Sequence, residues 1–282
     1  MIIIADGGST KVDWRLIEEG KEIRQVYTKG MNPFFRSSEE ISEEIKSVLM
    51  PEVGTYSIEA VYFFGAGCTP QKSPIVYNAI VDNIENSVIM VDSDLLAAAK
   101  GLCGHNKGVA CILGTGSNSC HYDGADIVDH VSPLGYILGD EGSGAVIGRL
   151  FLNVCLKNIL PSSIKKDLFD KYDLSVADIL DKVYKQPMAN RFLASLSPFI
   201  IQYIGHEVVY NIIYNSIKDF FIKNIFQYNY DYKENPVHFT GSIAYYYQEV
   251  LKKVATDLNV KIGTIVQSPM EGLIKYYNSE LV

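Results

Sequence analysis

The sequence lacks most of the features that mark membrane proteins and nucleic-acid-binding proteins. None of its apolar runs approaches the ~20 residues that a membrane-spanning helix needs. Lysine and arginine are scattered along the 282 residues, and the formal net charge is −8. A chain without a basic field has little to attract phosphate backbones. We therefore expect neither a membrane partner nor a nucleic-acid partner.

Cysteine is also sparse, and its spacing excludes the common cysteine frameworks. The five cysteines are odd in number, form no CxxC pair and are Cys68, Cys103, Cys111, Cys120 and Cys155. This pattern is typical of reduced thiols in a cytosolic protein rather than of disulfides or a zinc site. The N-terminal segment MIIIADGGST lacks the basic region and long apolar core of a secretion signal. These observations predict a cytoplasmic location.

What the chain does contain is a pattern that occurs twice. An apolar stretch runs into a polar glycine turn at residues 6–10, and two extended stretches joined by a turn follow it. About a hundred residues later the same arrangement returns, with its glycine turn at 114–118 and a hairpin signal at 123–124. The composition, 48% hydrophobic and 21% charged, is that of a soluble globular protein. The recurrence predicts a duplicated α/β unit.

The rest of the chain alternates between predicted strands and helices. Ser37 and Glu40 have the spacing of a capping box at the start of one helix. We predict strands at 58–64, 87–91, 237–240 and 261–267, and helices at 37–49, 71–84, 94–102, 207–226 and 243–258, with mostly helical sequence from 143 to 230. Such alternation implies a parallel or mixed sheet covered by helices. The linker at 104–108 divides the chain into a lobe of residues 1–107, joined by a C-terminal helix at 269–282, and a lobe of residues 108–268.

Three glycine turns follow apolar strands, at 6–10, 114–119 and 241–242. Glycine lets a backbone approach a ligand closely, and successive N–H groups form nests that bind anions. Each turn taken alone is weak evidence, because glycine more often simply serves turn geometry. None matches the Walker pattern, and none is a GxGxxG that opens a helix. The turns therefore suggest phosphate binding without a P-loop or a Rossmann site.

Carboxylates accompany these turns. Asp6 stands where a strand enters the first turn and is suited to hold Mg²⁺ near phosphates. Asp94, between a strand and a helix, is either a helix cap or a general base that takes a proton from an attacking hydroxyl. Asp140 and Glu141, between glycines, either accept hydrogen bonds from substrate hydroxyls or complement a helix dipole.

Together these motifs resemble, in order, those of sugar kinases with the actin-like ATPase fold. Residues 6–11 (DGGSTK), followed by Trp14, resemble the first phosphate motif, and 113–118 (LGTGSN) the second. Residues 139–143 (GDEGS) are similar to the signature of the N-acetylglucosamine kinase and BadF/BadG/BcrA/BcrD ATPase family, and 240–242 (TGS) to the adenosine motif. From these motifs the chain is identified as a member of that family.

The resemblance implies an α/β fold of two ribonuclease-H-like lobes, with a cleft between them and a helical elaboration of the second lobe. It also implies that ATP, with Mg²⁺, phosphorylates a hydroxyl of an amino sugar. The leading substrate and product are N-acetylglucosamine and its 6-phosphate. The resemblance also allows a homodimer. Asp94 matches the catalytic aspartate. The sugar-binding residues implied are Asn32, Asp94, Thr115, Asn118, Gly135 and Asp140. The nucleotide-binding residues implied are Gly7, Gly8, Ser9, Thr10, Lys11, Gly114, Thr115, Gly116, Ser117, Gly241 and Ser242.

One departure from the family pattern concerns the sugar. Leu134 stands where the N-acetylglucosamine kinases carry a tryptophan, so an aromatic wall against the sugar is missing at that position. Three alternatives remain open: a kinase for another hexosamine or a muramic-type sugar, an ATPase that activates a partner enzyme, and a sugar sensor without activity. The activating ATPases hold an iron–sulfur cluster through paired cysteines, and this chain has no closely spaced pair.

Overall fold

The computed structural model describes residues 1–8 and 10–280, which form two compact units. The first unit comprises Met1–Asn106, Gly124–Asp126 and the segment from Pro269 onwards. The second comprises Lys107–Asp123 and Ile127–Ser268. Among the described residues, no helix combines the length and apolarity required to cross a membrane.

The first unit is built on a mixed five-stranded sheet. Its strands are β1 (Ile2–Gly7), β2 (Lys11–Glu18), β3 (Lys21–Lys29), β4 (Ala60–Gly65) and β5 (Val88–Ser93). They lie in the order β3-β2-β1-β4-β5. β1 pairs antiparallel with β2 and parallel with β4, and β4 pairs parallel with β5. The carboxyl ends of β1, β4 and β5 therefore lie along one edge of the sheet.

Helices cover this sheet. They are α1 (Ser38–Glu44), continued by a π-helical turn (Ile45–Leu49), α2 (Met50–Val53), α3 (Ser73–Val81) and α4 (Asp94–Cys103). The predicted capping box at α1 is confirmed, because the Ser37 hydroxyl accepts from the Glu40 amide and the Glu40 carboxylate accepts from the Ser37 amide. In the core the Trp14 indole packs 5.5 Å from the Phe63 ring and donates to the Thr28 hydroxyl at 2.9 Å.

The second unit repeats the same sheet. Its strands are β6 (Gly108–Leu113), β7 (Ser117–Tyr122), β8 (Ile127–Val131), β9 (Val237–Thr240) and β10 (Ile262–Val266). Their order is β10-β9-β6-β7-β8, with β6 antiparallel to β7 and parallel to β9. Read from the hairpin side, both sheets have the order third, second, first, fourth and fifth strand. The predicted duplicated α/β fold is confirmed.

The second unit also carries the predicted helical elaboration. Its helices are α5 (Gly135–Leu138), α6 (Gly144–Leu156), α7 (Ser162–Tyr172), α8 (Val176–Tyr184), α9 (Ala189–Ser195), α10 (Ser197–Ile200), α11 (Glu207–Lys223), α12 (Ser242–Tyr246) and α13 (Gln248–Asp257). The prediction of one unbroken helix over 243–258 was wrong. The helix is interrupted at Tyr247, whose side chain is buried and whose hydroxyl lies 3.0 Å from the Ser197 hydroxyl. The break therefore falls at the residue whose ring is anchored in the core.

The last helix, α14 (Met270–Glu280), belongs to the first unit and packs on α4. The contact depends on two glycines, because a Cβ added to Gly272 would lie only 1.8 Å from the Gly101 carbonyl oxygen. A cation also joins the two helices, since the Lys100 ammonium lies 3.2 Å from the Tyr277 hydroxyl. The interface brings the two helix backbones into direct contact.

Candidate active site

The strand ends of the first unit bring three loops side by side. Gly7 at the end of β1 pairs with Gly65 at the end of β4, and Gly65 pairs with Ser93 at the end of β5. The Ala66 amide donates to the Gly7 carbonyl at 2.8 Å. In open α/β sheets, ligands bind outside the carboxyl ends of the parallel strands. The first glycine turn and Asp94 therefore lie at the edge of the sheet where a ligand site is expected.

Asp94 is not the cap of its helix. Ser93 takes that place, because its hydroxyl accepts from the Leu96 amide at 3.2 Å. Asp94 is the first residue of α4, and its carboxylate accepts hydrogen bonds from its own amide and that of Leu95. Desolvation by the surrounding protein nevertheless raises the pKa of Asp94 to about 6. A carboxylate with this pKa at the end of a strand is suited to exchange a proton near neutral pH.

Asn32 lies against a loop that the sequence analysis did not identify as functional. Gly67 has a φ of +83°, and a Cβ added to it would lie 2.5 Å from Asn32 Oδ1. The adjacent Cys68 is buried, and burial together with the nearby carboxylates of Asp94 and Asp92 raises the pKa of its thiol to about 12. The loop thus connects Asn32 to Asp94 within one unit. Its sequence signal was available, since glycines at 65 and 67 follow a buried strand as in the other three turns.

The first glycine turn has the tight packing that requires glycine. A Cβ on Gly7 would lie 2.9 Å from the Phe63 ring and 3.0 Å from the Phe64 carbonyl oxygen. The Thr10 carbonyl accepts from the Gly30 amide at 2.9 Å, and the Lys11 ammonium lies 4.2 Å from the centre of the Tyr27 ring. Gly8 lies between them in the turn, whereas the predicted Ser9 lies outside the described residues.

Asp6, the predicted metal residue, is in β1 directly before this turn. It pairs across the sheet with Asp13 of β2 and Phe64 of β4. In the described part of the chain, no group of three or more His, Cys, Asp or Glu side chains could hold a metal ion. Mg²⁺ bound to a nucleotide needs only one or two carboxylates, because phosphates and waters complete its shell. One carboxylate beside a phosphate turn fits that requirement.

In the second unit the glycine turn at 114–118 is hydrogen-bonded to the start of α6. The Gly144 amide donates to the Gly114 carbonyl at 2.8 Å, and the Ala145 amide donates to the Thr115 carbonyl at 3.1 Å. Ser143 caps α6 and is fully buried. These bonds hold the turn in a fixed position beside the GDEGS segment.

Asp140 lies directly over this turn. A Cβ on Gly116 would lie 3.0 Å from Asp140 Oδ2, and the Ser117 amide donates to the Asp140 carboxylate. Burial, reinforced by the neighbouring charge of Glu141, raises the pKa of Asp140 to about 6. Asn118 follows on β7, where its side-chain oxygen accepts from the Ser119 amide at 2.9 Å. Asp140, the turn and Asn118 are therefore neighbours.

The loop before Asp140 has an unusual backbone. Leu134, Gly135, Asp140 and Gly142 all have positive φ, of 59°, 75°, 52° and 74°. The Asp140 amide donates to the Pro133 carbonyl at 3.0 Å, which folds the loop back on itself. Gly135 is exposed with open space at its Cβ position, and Leu134, at the position of the missing tryptophan, is 63% exposed.

The third turn contacts the second. Gly241 has a φ of +109°, and a Cβ there would lie 2.3 Å from the Leu113 carbonyl oxygen, so only glycine fits. Ser242 begins α12 beside it. The hydroxyl of the preceding Thr240 is buried and has no hydrogen-bond partner within the described residues. Buried polar groups are nearly always satisfied, so this hydroxyl fits a site that a bound ligand completes.

Helix α11 supports the GDEGS segment through residues that the sequence analysis missed. The Ser216 hydroxyl accepts from the buried Gly142 amide at 3.0 Å. The Lys223 ammonium lies 3.2 Å from the Glu141 carboxylate, and the Asn224 amide group donates to the same carboxylate at 3.5 Å. Ser216 is a single polar residue in the apolar stripe of α11. Its partner, Gly142, is 74 residues away in the sequence, so spacing along the chain gives no signal for this contact.

The chain is similar to known proteins along nearly its whole length. The sequence profile of the BadF/BadG/BcrA/BcrD ATPase family matches residues 5–274. A crystal structure from Porphyromonas gingivalis, of a protein named as a candidate N-acetylglucosamine kinase, is 47% identical, with a TM-score of 0.96 and full coverage of both chains. An N-acetylmuramic acid/N-acetylglucosamine kinase of Clostridium acetobutylicum is 23% identical over 209 residues, which is 70% of this chain and 68% of that one.

A more distant similarity concerns the fold alone. A ROK family glucokinase from Streptomyces griseus, solved with glucose and AMPPNP, is 14% identical, with a TM-score of 0.59 over 100% of this chain and 98% of its own. The duplicated sheet is thus that of the actin-like ATPases and sugar kinases. Since the family profile covers residues 5–274, the chain belongs to the BadF/BadG/BcrA/BcrD ATPase family, and this membership implies that it uses ATP.

Proposed function

We propose that this protein transfers the γ-phosphoryl group of ATP to a hydroxyl of an amino sugar, with N-acetylglucosamine and its 6-phosphate as the leading substrate and product. The similarity to proteins named as N-acetylglucosamine and N-acetylmuramic acid kinases supports the class of acceptor. The observation that carries the proposal is the environment of Asp94.

A sugar hydroxyl must lose its proton as it attacks the phosphorus atom. Asp94 follows β5 at the same sheet edge as the first phosphate turn and the loop that contacts Asn32. A pKa of about 6 leaves its carboxylate ionised at neutral pH but still basic enough to accept that proton. Asp94 is therefore the general base, and the helix dipole of α4 favours its ionised form.

The remaining sugar contacts are those that the family motifs imply. The Asn32 amide and the Asp140 carboxylate would bind sugar hydroxyls, and their hydrogen bonds would align the attacking oxygen. Thr115, Asn118 and Gly135 would be further sugar contacts. Charged acceptors such as Asp140 form the stronger of these bonds, so Asp140 contributes most to orientation.

Phosphate binding falls mainly to the backbone. Apart from Lys11, the segments 6–11, 114–118 and 240–242 contain no basic residue, so the N–H groups of Gly7–Thr10 and of 114–117 would hold the phosphates. Gly241 and Ser242 would contact the adenosine, beside the unsatisfied hydroxyl of Thr240. Asp6 would hold Mg²⁺, which when bound neutralises charge on the phosphates. A cytoplasmic location and a homodimer remain predictions.

The decisive test is a screen for sugar-dependent ADP release. The purified protein is supplied with MgATP and, in turn, with hexoses, hexosamines, N-acetylated hexosamines and muramic-type sugars. We expect turnover with an N-acetylated hexosamine, and mass spectrometry should then find one added phosphate on the sugar. ADP release that does not depend on any sugar would instead support an ATPase that acts on a partner protein. No turnover above background with any sugar would sink the kinase proposal.

A further inference from the structure

The asparagine that is proposed to bind the sugar lies between β3 and α1. Residues 30–36 connect these two elements and are called the asparagine loop here. The Asn32 carbonyl accepts from the Phe35 and Arg36 amides at 3.0 and 3.2 Å. Asn32 Oδ1 accepts from the Phe34 amide at 3.0 Å. Asn32 therefore begins a tight turn that ends at Arg36, and the place of its side chain depends on how this loop is held.

The first end of the asparagine loop is fixed to the sheet of the first unit. The Gly30 amide donates to the Thr10 carbonyl at 2.9 Å. This bond directly follows the pairing of Lys11 with Lys29 in the β2–β3 ladder. Backbone hydrogen bonds thus give Gly30 a fixed position beside the first glycine turn.

The Arg36 side chain returns to that fixed end. Its guanidinium donates to the Gly30 carbonyl at 3.2 Å and, through its other terminal nitrogen, to the Glu40 carbonyl of α1 at 2.6 Å. The Glu44 carboxylate lies 3.7 Å from the same guanidinium. The Arg36 side chain is only 20% exposed, and that of Glu44 only 11%. One side chain therefore joins both ends of the asparagine loop to α1.

The hydrogen bonds of Arg36 to carbonyl groups fix a geometry, whereas an ion pair mainly balances charge. A guanidinium presents its N–H donors in a rigid planar fork, so it bonds two carbonyl groups in one arrangement. Hydrogen bonds from a charged donor are also stronger than those between neutral groups. The ion pair of Arg36 with Glu44 is longer than either of these hydrogen bonds. Arg36 therefore restricts where the asparagine loop can lie.

The other side of Asn32 leaves little space for a different position. A Cβ on Gly67 would lie 2.5 Å from Asn32 Oδ1, so the side chain lies directly against the backbone of this glycine. Met31 and Pro33, the two neighbours of Asn32 in the chain, are buried. A displacement of about 1 Å is enough to disturb the alignment of a bound substrate. The position of Asn32 is thus sensitive to what holds the asparagine loop.

We propose that Arg36 is a positioning residue of the sugar site, which holds Asn32 in place relative to the first glycine turn. Its guanidinium acts on the sugar only through Asn32. The bond between the Gly30 amide and the Thr10 carbonyl does not involve Arg36, so loss of the guanidinium weakens sugar binding and spares ATP binding. This inference rests on the proposed kinase function, since it requires that Asn32 binds the sugar.

A double-mutant cycle tests whether Arg36 acts through Asn32. With saturating MgATP, kcat/KM for the sugar is measured for wild type, Asn32→Ala, Arg36→Met and the double variant. The sugar is N-acetylglucosamine, or whichever sugar of the screen is turned over fastest. We expect each single variant to lose about 10-fold or more, because a missing or displaced contact misaligns the sugar. The double variant should lose no more than Asn32→Ala alone, since Arg36 then has no side chain to position.

The KM for ATP and two further variants separate positioning from a general effect on the fold. In Arg36→Met the KM for ATP should change by less than about twofold. Arg36→Lys keeps the charge beside Glu44 but lacks the fork, so it should show most of the loss, and it replaces Arg36→Met in the cycle if that variant does not fold. Arg24→Met removes an arginine that is 53% exposed and ion-paired with Glu52, and it should change none of these values.

The outcomes also separate this inference from the proposed function. Losses that add up in the double variant, an equal rise in the KM for sugar and for ATP, or full activity of Arg36→Lys would each overturn the role of Arg36. Wild-type kcat/KM in Asn32→Ala would remove Asn32 from the sugar site, and the inference with it, while the kinase proposal stands. No turnover of any sugar by the wild type removes the proposed function itself.

Discussion

Replacing Asp94 with asparagine should have two opposite effects, one on catalysis and one on stability. Asparagine has nearly the same shape, and its side-chain oxygen can still accept from the Leu95 amide. It cannot take a proton from a sugar hydroxyl. We therefore expect kcat/KM of Asp94→Asn to fall by at least ~100-fold, the usual contribution of a general base.

The stability of the same variant should rise at neutral pH. Burial raises the pKa of Asp94 from an ordinary value of 3.8 to about 6, and this difference corresponds to about 3 kcal/mol. Because the folded state binds this proton more tightly than the unfolded state, the wild type loses stability as pH rises from about 4 to about 6. Above pH 6 the loss is complete, whereas asparagine, which does not titrate, avoids it. Asp94→Asn should thus be more stable by up to about 3 kcal/mol at pH 8 and about equal at pH 4.

Urea unfolding of wild type and variant at several pH values between 4 and 8 measures this difference directly. The matched control is Asp82→Asn, which removes an exposed aspartate of the same unit. It should change the free energy of unfolding by less than about 0.5 kcal/mol and leave kcat/KM close to the wild-type value. The kcat/KM of the wild type should also fall as pH decreases through about 6, as Asp94 becomes protonated. A variant that keeps near-normal turnover, or one whose stability gain does not depend on pH, would refute this account of Asp94.

Two other substitutions test the second unit. Gly241→Ala places a Cβ 2.3 Å from the Leu113 carbonyl oxygen at a φ of +109°. We therefore expect the KM for ATP to rise by about 10-fold or more. An unchanged KM would show that this turn does not contact the nucleotide. Ser216→Ala leaves the buried Gly142 amide without its acceptor, so the free energy of unfolding measured in urea should fall by about 1–3 kcal/mol. The control Ser195→Ala, at an exposed serine of the same unit, should lower it by less than about 0.5 kcal/mol. Equal effects of the two serine variants would contradict the role given to Ser216.

Local patterns in the sequence were sufficient for most of the fold. The capping box at Ser37, the glycine turns and the alternation of strands with helices depend on residues a few positions apart, and the structure has them where they were predicted. The predicted strand at Val237–Thr240 agrees to the residue. Predictions failed where distant residues decide the outcome, as at Tyr247, which breaks a helix to reach Ser197.

The residues of the candidate site show the same division between features set by local sequence and features set by distant contacts. The sequence by itself determined which residues end strands in glycine turns and that carboxylates follow them, because backbone geometry and spacing are local properties. Tertiary structure alone decided that Gly67 lies against Asn32 and that Ser216 supports Gly142. It also decided that Asp94 and Asp140 both have a pKa of about 6, because that value depends on burial by atoms from many segments, which no sequence spacing records.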